Sequence, residues 1–384
     1  MTELDLQVCG SISEIDAEAW NALLMLQDNP TPFLRWEFLH ALEVTQCTSA
    51  DTGWQPLPVV ARNSLGQVKA VAPLYAKHHS YGEYVFDGVW AQAYERAGLD
   101  YYPKLLAASP FSPIPGSRLL AADPQARREL LQGIRSLAQT NGLSSVHLLF
   151  GSEQDLVAAR QEQWLIRENL QFHWQNLGYG NFEDYLSSLT QPKRKKIKAE
   201  RRKVRDAGVS TVIRCGDEIT QADWDFFYTC YSRTYREHYS TPYLSLEFFH
   251  MIAKTMPQAI VMCTASAAGN PIASALLMRN EHVLYGRYWG AVSRVDCLHF
   301  EVAYYAPIAW AIAQGCKRFE GGAQGEHKLA RGFTPAKTYS AHWLREPRFA
   351  DAVARFLERE SEGIERYVNE LEERTAFKVS GLAP

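Results

Sequence analysis

The chain has 384 residues, of which 46% are hydrophobic and 22% are charged, and its formal net charge at pH 7 is −3. This composition is typical of globular proteins and excludes a disordered or membrane-embedded chain. The small net charge excludes a protein that coats nucleic acid over its whole surface, so any site for a polyanion must be a local patch. The length is sufficient for two domains of ordinary size.

Three features of the sequence bear on the compartment in which the protein works. The segment Met1–Asp5 is acidic and has neither the basic nor the apolar region of a signal peptide. The longest apolar run, Tyr304–Ala313, reaches about half of the length that spans a bilayer. The seven cysteines are scattered without a C-x-x-C pair, which argues against a disulfide framework or a zinc site. We therefore expect a cytoplasmic protein with no transmembrane segment and no metal site.

The first half of the chain has the hydrophobic patterns of alternating helices and strands. In chain order these patterns predict helices over residues 12–27 and Trp36–Val44, a hairpin of strands Leu57–Arg62 and Val68–Tyr75, an aromatic strand over Tyr84–Trp90, a helical segment over Tyr94–Leu106, a helix over Pro124–Gln139, and strands over Ser144–Phe150 and Phe172–Leu177. Such an alternation is typical of an α/β protein.

The second half repeats this order of elements. One shift of 203 positions brings Gly66 onto Gly269, Ala70 onto Ala273 and Tyr101-Tyr102 onto Tyr304-Tyr305. A single offset shared by separated landmarks indicates an internal duplication of one α/β module. The patterns in this half predict strands over Ile260–Ala265, Pro271–Met278, Val283–Trp289 and Lys317–Glu320, helices over Phe300–Gln314 and Arg348–Leu371, and a helix-rich segment over Trp224–Met256.

The segment Lys193–Arg205 contains nine basic residues among thirteen, with Glu200 as the one acidic residue. Ile197 and Val204 lie seven positions apart, which predicts a helix held by a narrow apolar stripe before the strand Val209–Arg214. Like charges at this density repel one another, and a ligand bearing phosphates would relieve the repulsion. The alternative is a solvated helix face. The predicted phosphate-binding residues are Lys193, Arg194, Lys195, Lys196, Arg201 and Arg202.

The stretch Glu320–Pro335 combines flexible backbone with acid and base side chains. Three glycines, at positions 321, 322 and 325, follow the predicted strand that ends at Glu320. Loops after strand ends often carry the functional residues of α/β enzymes, although a solvated surface loop is the alternative. The predicted catalytic residues are Glu320, Glu326, His327, Lys328 and Arg331.

Two further groups of polar and aromatic residues are candidates for substrate binding. The loop Ala291–Leu298 of the second module lacks glycine and contains Asp296, so by itself it is a poor cradle for pyrophosphate. A helix start or a packed aromatic core would explain the same residue types. The candidates are Arg287, Tyr288, Trp289, His299 and Glu301 in the second module, and Asp87, Tyr101 and Tyr102 in the first.

Seven runs of the sequence are distinctive. They are Gly-Glu-Tyr-Val-Phe-Asp (82–87), Tyr-Tyr-Pro-Lys-Leu (101–105), Phe-His-Trp (172–174), Lys-Arg-Lys-Lys-Ile (193–197), Gly-Arg-Tyr-Trp-Gly (286–290), Leu-His-Phe-Glu (298–301) and Gly-Ala-Gln-Gly-Glu-His-Lys-Leu-Ala-Arg-Gly-Phe (322–333). Together they resemble the FemAB-like proteins named for peptidoglycan biosynthesis, from about residue 30 to residue 375.

This resemblance implies an α/β fold with mixed sheets, made of two tandem GNAT-like domains and a C-terminal helix. The domains are expected over residues 1–165 and 166–345, the second carrying the active centre, with an amphipathic helix over residues 346–376. Fem-type ligases have a Phe-Lys-x-Gly-Phe run whose lysine stabilises the reacting carbonyl or phosphate. Here the corresponding run is Leu329-Ala330-Arg331-Gly332-Phe333, with alanine at the lysine position. Lys328 and Arg331 are the candidates to replace that lysine.

The resemblance also implies transfer of an acyl or aminoacyl group to an amine of a cell-wall precursor or another small molecule. Aminoacyl-tRNA or acyl-CoA would be the donor substrate, which makes tRNA a candidate partner, and no resident cofactor is implied. The transfer requires a base for the amine and donors for the oxyanion. Glu320 or Glu326 would be the base, with His327 as a second candidate. The alternatives are a CoA-dependent N-acetyltransferase and a non-catalytic module that binds a cell-wall precursor or RNA.

Overall fold

The structure is a computed structural model of the 384-residue chain, and it describes residues 4–322 and 325–378. Two residues of the glycine-containing stretch, Ala323 and Gln324, lie outside this description, as do the first three residues of the segment considered for a signal peptide. No helix within the described ranges has both the length and the apolar character needed to cross a membrane.

The described residues form fifteen strands. They are β1 (Asp5–Val8), β2 (Trp54–Pro56), β3 (Val59–Arg62), β4 (Val68–Ala72), β5 (Leu74–Lys77), β6 (Lys104–Ala107), β7 (Leu120–Ala121), β8 (Ser145–Leu149), β9 (Leu165–Gln175), β10 (Val209–Cys215), β11 (Ile260–Ala267), β12 (Asn270–Arg279), β13 (Val283–Ala291), β14 (Arg318–Glu320) and β15 (Phe333–Leu344).

Helices alternate with these strands along the chain. They are α1 (Ala17–Met25), α2 (Trp36–Val44), α3 (Gly88–Arg96), α4 (Pro124–Thr140), α5 (Glu153–Gln161), α6 (Phe182–Ser188), α7 (Gln191–Asp206), α8 (Gln221–Glu237), α9 (Leu246–Thr255), α10 (Leu298–Phe300), α11 (Ala306–Ala313) and α12 (Pro347–Glu373). A π-helical turn, Glu301–Tyr305, joins α10 to α11, and the segment Glu326–Arg331 is a 3₁₀ helix.

The chain packs into two compact units. The first comprises the residues up to Leu170 together with Lys337–Arg366, and the second comprises Gln171–Ala336 and the residues from Tyr367 onward. The predicted boundaries instead placed residues 337–345 in the second domain and separated the C-terminal helix from both. Lys337–Arg366 belongs to the first unit because β15 pairs with β8 and because Val353 and Leu357 of α12 pack with Tyr94.

The first unit contains two sheets. In the larger one the neighbouring strands follow the order β15–β8–β6–β5–β2, and β6 and β8 run parallel with Leu106 opposite His147. The smaller one is antiparallel in the order β1–β3–β4–β7. Leu130 and Ile134 of α4 are buried in the apolar core of this unit, because the amphipathic spacing of α4 puts these residues on one face.

The second unit contains the strand order β10–β11–β12–β13–β14–β9. The first four strands are antiparallel neighbours, whereas β13 and β14 run parallel with Leu284 opposite Phe319. Both units therefore have a hairpin, β3–β4 or β11–β12, followed by a parallel strand pair joined through helical segments. This repetition agrees with the duplication indicated by the sequence.

The segment between residues 68 and 106 differs from its prediction. Pro73 divides the predicted strand Val68–Tyr75 into β4 and β5, which belong to different sheets. The predicted strand Tyr84–Trp90 is a loop that leads into α3, because buried Glu83 and Asp87 form ion pairs with Lys104 instead of a strand ladder. The helix predicted to continue to residue 106 ends at Arg96.

The tyrosine pairs do not occupy equivalent places in the two units. Tyr101 and Tyr102 precede the strand β6, whereas Tyr304 and Tyr305 lie in the π-helical turn before α11. The shift of 203 positions therefore superimposes equivalent residues in the two hairpins, β3–β4 and β11–β12. It does not do so for the tyrosine pairs, whose match in the sequence is a coincidence. The connections after the hairpins differ in length, so one sequence offset cannot align all residues of the two units.

Helix α8 packs closely on β13 at Gly290. A β-carbon at this glycine would lie 2.1 Å from the backbone oxygen of Cys230 and 2.8 Å from Oγ1 of Thr234. The Thr234 hydroxyl also donates a hydrogen bond of 2.9 Å to the carbonyl of Trp289. The glycine is required because the helix and strand backbones approach each other more closely than a side chain permits.

We predict that Gly290→Ala destabilises the protein by about 2–3 kcal/mol, because the added methyl group forces the backbone of α8 away from β13. Urea unfolding followed by circular dichroism measures the effect. The matched control is Gly363→Ala in α12, where an added β-carbon meets nothing within 4 Å and the helix gains up to about 1 kcal/mol. Equal unfolding midpoints for the two variants would contradict this account of the packing.

Candidate active site

Glu320 is the last residue of β14, at the point where the chain leaves the sheet of the second unit. In the strand register it lies beside Tyr285 of the parallel strand β13 and beside His173 of the antiparallel strand β9. Gly321 and Gly322 follow it. Its side chain is fully buried, so its carboxyl group is kept away from bulk water.

The buried carboxyl of Glu320 has an unusual proton affinity. Burial raises the pKa of Glu320 to about 7, although the Arg318 guanidinium opposes this shift. The Arg318 nitrogen Nη2 lies 2.9 Å from Oε1, but neither carboxyl oxygen accepts a well-aligned hydrogen bond from residues 4–322 or 325–378. A carboxyl group with a pKa near 7 can both accept and release a proton at neutral pH.

A β-bulge interrupts the edge of β13 that faces β12. Leu276 pairs with Tyr288 and Leu277 pairs with Gly286, so Arg287 is an extra residue on β13. Bulges of this kind re-aim side chains and break the regular ladder, and they occur frequently beside active sites. The Arg287 guanidinium lies 4.9 Å from the ring centroid of Tyr288.

Lys328 packs against the glycines that follow Glu320. A β-carbon on Gly321 would lie 3.3 Å from Cε of Lys328, and the Lys328 ammonium donates a hydrogen bond of 2.9 Å to the carbonyl of Gly322. Burial lowers the pKa of Lys328 to about 8. This lysine is therefore a cation at neutral pH that is held beside the backbone leaving β14.

His327 lies on the same 3₁₀ helix as Lys328. Its Nε2 atom is 3.2 Å from the hydroxyl of Tyr304 in the π-helical turn. Burial, with the nearby charges of Lys328 and Arg331, lowers the pKa of His327. The imidazole is therefore neutral at pH 7 and can accept a proton, as a second base would require.

Arg331 is held by the protein itself. Its Nη2 atom donates to both carboxylate oxygens of Glu200, at 3.0 and 2.9 Å, and Nη1 donates to the carbonyl of His327 at 2.6 Å. The guanidinium carbon lies 3.3 Å from the ring centroid of Phe300. Because Arg331 is buried and multiply bonded, it fixes the 3₁₀ helix that carries His327 and Lys328.

Glu326 has a different environment from Glu320. Its side chain is about half exposed, its Oε1 accepts a hydrogen bond of 2.5 Å from the hydroxyl of Tyr367, and its Oε2 lies 3.5 Å from Arg374. Both partners belong to the C-terminal part of the second unit. The structure thus gives the two candidate bases unequal surroundings, one dry and one in contact with solvent.

The predicted binding residues of the second unit lie along β13 and the turn before α11. The His299 ring lies 4.7 Å from Trp289 and 6.1 Å from His327 between ring centroids, so these residues share one aromatic cluster. Burial lowers the pKa of His299 to about 4. Tyr288 packs instead against Tyr231 of α8, at 5.0 Å between centroids.

The predicted phosphate-binding residues lie on α7. The guanidinium of Arg201 is engaged by the carboxylate of Glu301, with its Nη2 atom 2.8 Å from Oε1, and it covers the ring of Phe182. Glu301 is therefore a partner of the basic helix in this structure. The other predicted cations are more open: Lys195, Lys196 and Arg202 are exposed, and Lys193 and Arg194 are half-buried.

The three binding residues predicted for the first unit form a connected group. The hydroxyl of Tyr101 donates a hydrogen bond of 2.7 Å to Asp87, and the hydroxyl of Tyr102 lies 2.8 Å from that of Ser80. Asp87 also lies beside the Lys104 ammonium, at 2.5 Å. The sequence singled out Asp87 and the tyrosines but not Lys104.

Several residues of the second-unit site were not predicted. His173 lies beside Glu320, and burial lowers its pKa to about 3. Glu200 binds Arg331, and it also accepts a hydrogen bond from the Tyr305 hydroxyl. Glu200 could have been found, because it is the one acidic residue within a strongly basic segment. Among the described residues no group of three His, Cys, Asp or Glu side chains is arranged to hold a metal ion.

Solved structures share this fold at low sequence identity. FemX has a TM-score of 0.55 and 10% identity over 88% of this chain and 98% of its own. L-PGS from Bacillus licheniformis has a TM-score of 0.52 and 11% identity over 89% of this chain and 97% of its own. A domain from Agrobacterium fabrum, assigned as the C-terminal part of a lysylphosphatidylglycerol synthetase, has a TM-score of 0.54 and 10% identity over 89% of this chain and 96% of its own.

The family comparison is more decisive than these structural similarities. No curated protein matches the chain significantly. The model of the FemAB-like family, described as peptidoglycan biosynthesis/recognition, matches residues 11–379, which is nearly the whole sequence. With its two repeated α/β units, its mixed sheets and its C-terminal helix, the chain has the mixed α/β architecture that the sequence predicted. It belongs to the FemAB-like family.

Proposed function

We propose that this FemAB-like acyl or aminoacyl transferase performs its chemistry in the second unit, with Glu320 as the general base. The observation that carries the proposal is the burial of Glu320 at the end of β14, which raises its pKa to about 7. An attacking amine must lose a proton as it forms the new bond, and a carboxylate with this pKa is matched to that task at neutral pH.

In the proposed reaction the amine nitrogen attacks the carbonyl carbon of the donor ester and forms a C–N bond. Glu320 takes the proton of the amine, directly or through one water. The ester C–O bond then breaks, and the leaving oxygen takes up a proton. Lys328, a buried cation beside the backbone that follows Glu320, would stabilise the negative charge of the tetrahedral intermediate.

His327 and Arg331 have supporting roles in the proposal. Arg331 acts as a positioning residue, because its ion pair with Glu200 fixes the 3₁₀ helix on which Lys328 lies. His327, neutral and in contact with Tyr304, is the second candidate base. Two further groups of residues would bind substrate. In the second unit they are Arg287, Tyr288, Trp289, His299 and Glu301, and in the first unit they are Asp87, Tyr101 and Tyr102.

Aminoacyl-tRNA is the donor that the charge of α7 favours. The exposed cations of this helix extend from Lys195 to Arg205, which corresponds to about 15 Å along the helix axis. A row of this length suits successive phosphates of a nucleic-acid backbone better than a single pyrophosphate. The acceptor would be an amine of a cell-wall precursor. Both substrates would meet the enzyme in the cytoplasm.

An acyl-CoA donor has less support. The loop before α10 lacks glycine, and Cys297 at its end has a left-handed conformation, with φ of 66°. The helix that follows is three residues long before the π-helical turn begins. This arrangement differs from the glycine-rich loop and regular helix start that bind pyrophosphate through backbone amides.

We predict that Glu320→Gln lowers kcat by about 10²–10⁴-fold, because glutamine keeps the shape of the side chain but cannot accept the proton. The assay follows the product mass after incubation with aminoacyl-tRNA and a nucleotide-linked muropeptide. The wild-type rate should rise with pH through about 7, where Glu320 becomes ionised, and this limb should vanish in the variant. Glu326→Gln is the matched control, because Glu326 is in contact with solvent. The assignment is wrong if Glu326→Gln loses activity and Glu320→Gln retains it.

We predict that Lys196→Ala and Lys203→Ala each weaken tRNA binding and reduce the slope of log Kd against log salt concentration by roughly one. Both lysines are exposed on α7, and neither forms an ion pair with a carboxylate among the described residues, so both are available to bind phosphate. Fluorescence anisotropy with labelled tRNA at several KCl concentrations measures both quantities. Lys254→Ala, at the end of α9, should leave the slope unchanged. A slope that is the same in all four proteins would exclude α7 as the tRNA contact.

A further inference from the structure

Lys104 of the first unit is a buried cation with several close acceptors. It begins β6, its side chain is fully buried, and its ammonium donates to Oγ of Ser80 at 2.8 Å, to Oε2 of Glu83 at 2.9 Å and to Oδ2 of Asp87 at 2.5 Å. One ammonium thus holds two carboxylates close together in the interior. Together with Lys77, these residues are called the Lys104 cluster below.

The two carboxylates have unused acceptor atoms. Oε1 of Glu83 and Oδ1 of Asp87 are both buried, and neither accepts a hydrogen bond from any residue in the described ranges. A buried acceptor without a donor is unfavourable, because it has lost its hydrogen bonds to water and gained nothing in return. The Lys104 ammonium binds the other oxygen of each carboxylate, so the two carboxylates lie close together, and each keeps one oxygen that can accept a hydrogen bond from an N–H donor.

Lys77 sets the charge of the cluster. Its ammonium lies 3.7 Å from the ring centroid of Trp54 and is fully buried. Burial lowers the pKa of Lys77 to about 7 and raises the pKa of Glu83 to about 7, whereas the Lys104 ammonium lowers the pKa of Asp87 against the effect of burial. Above pH 7 the cluster therefore holds two carboxylates against one ammonium, with one negative charge in excess. Below pH 7 Lys77 is protonated and Glu83 is neutral, so two ammonium groups face one carboxylate and the cluster has one positive charge in excess.

The other groups around the cluster do not neutralise that excess charge. The hydroxyl of Tyr101 donates to Asp87, and burial raises its pKa well above the usual value, so it stays neutral. Burial lowers the pKa values of His147 and His342, so both imidazoles are neutral as well. The guanidinium of Arg167 is paired with Glu360.

The segment between β5 and α3, residues 78–87, covers the cluster. Ser80, Glu83 and Asp87 all belong to it, so the three side chains that accept hydrogen bonds from the Lys104 ammonium come from this one loop. The loop keeps Tyr81 and Phe86 exposed, at 71% and 75%, and holds its place through polar bonds such as the one from Trp54 Nε1 to the Tyr81 carbonyl.

We propose that the Lys104 cluster is a binding site for a primary ammonium group, and that the loop of residues 78–87 closes over it. The bound ammonium would donate to the two free carboxylate oxygens and balance the excess negative charge. This inference deepens the substrate-binding role proposed for Asp87 by giving the chemical class of the group that is bound. It rests on that role but not on Glu320, so its failure would leave the transfer site of the second unit unaffected.

The test compares methylammonium with tetramethylammonium, which has the same charge but no N–H donor. At pH 8 and constant ionic strength, methylammonium at ten times its Kd should raise the thermal midpoint by about 3 °C relative to tetramethylammonium. The Kd of methylammonium should be at least about tenfold higher at pH 6 than at pH 8. At pH 6 Lys77 and Glu83 have each gained a proton, so the cluster has lost its excess negative charge. Lys77→Met should bind methylammonium more tightly than the wild type at pH 6.

Asp87→Asn should abolish the difference between the two probes, while Glu162→Gln should preserve it. Glu162 is the matched control because it is a shielded carboxylate of the same unit, paired with Arg128 and Arg135. If Asp87→Asn does not fold, the pH dependence and the Lys77→Met variant decide the question instead. Equal midpoints with both probes in the wild type, or a methylammonium shift that Asp87→Asn leaves intact, would overturn the proposal.

Discussion

The ion pair between Glu200 and Arg331 connects the basic helix α7 to the 3₁₀ helix that carries His327 and Lys328. Helix α7 carries nine cations within thirteen residues, yet its inner face is held by buried Ile197, Glu200 and Val204. Glu200 points inward to Arg331, and Arg331 fixes the 3₁₀ helix that presents Lys328. Because the one acidic residue of the basic segment is used internally, the outer face keeps its positive charge. One buried contact thus joins the basic surface of α7 to the segment that carries Lys328.

Both units bury carboxylates, but they stabilise them differently. In the first unit Glu83 and Asp87 share the ammonium of Lys104, which leaves the group as a compact cluster of opposite charges. In the second unit the partly exposed Arg318 forms an ion pair with Glu320, and burial dominates the proton affinity of Glu320. The Lys104 ammonium lowers the pKa of Asp87, whereas burial raises the pKa values of both Glu83 and Glu320 to about 7. The two repeated units therefore differ in the surroundings of their buried carboxylates.

Much of the fold was predictable, because hairpins and amphipathic helices follow from local periodicity. The hairpins β3–β4 and β11–β12, helix α7 and the strand ending at Glu320 all lie where their patterns indicated. The segment Tyr84–Trp90 was wrongly predicted as a strand, because its aromatic residues have strand-like spacing while its conformation depends on distant Lys104. The cluster after Glu320 was found from its glycines and charges. The sequence did not show which residues of this cluster are buried and which are exposed. The burial of Arg331 depends on α7, and the exposure of Glu326 depends on the C-terminal residues.

Glu320 is proposed to be a buried acid that titrates near neutral pH, and its carboxyl carbon reports this titration directly. Carbon-13 NMR of protein labelled at the glutamate carboxyl groups, recorded between pH 4 and pH 9, follows each titration, and Glu320→Gln identifies the resonance. The account predicts that the resonance lost in this variant has a midpoint near pH 7 in the wild type. A midpoint near 4.3, the ordinary value for glutamate, would contradict it.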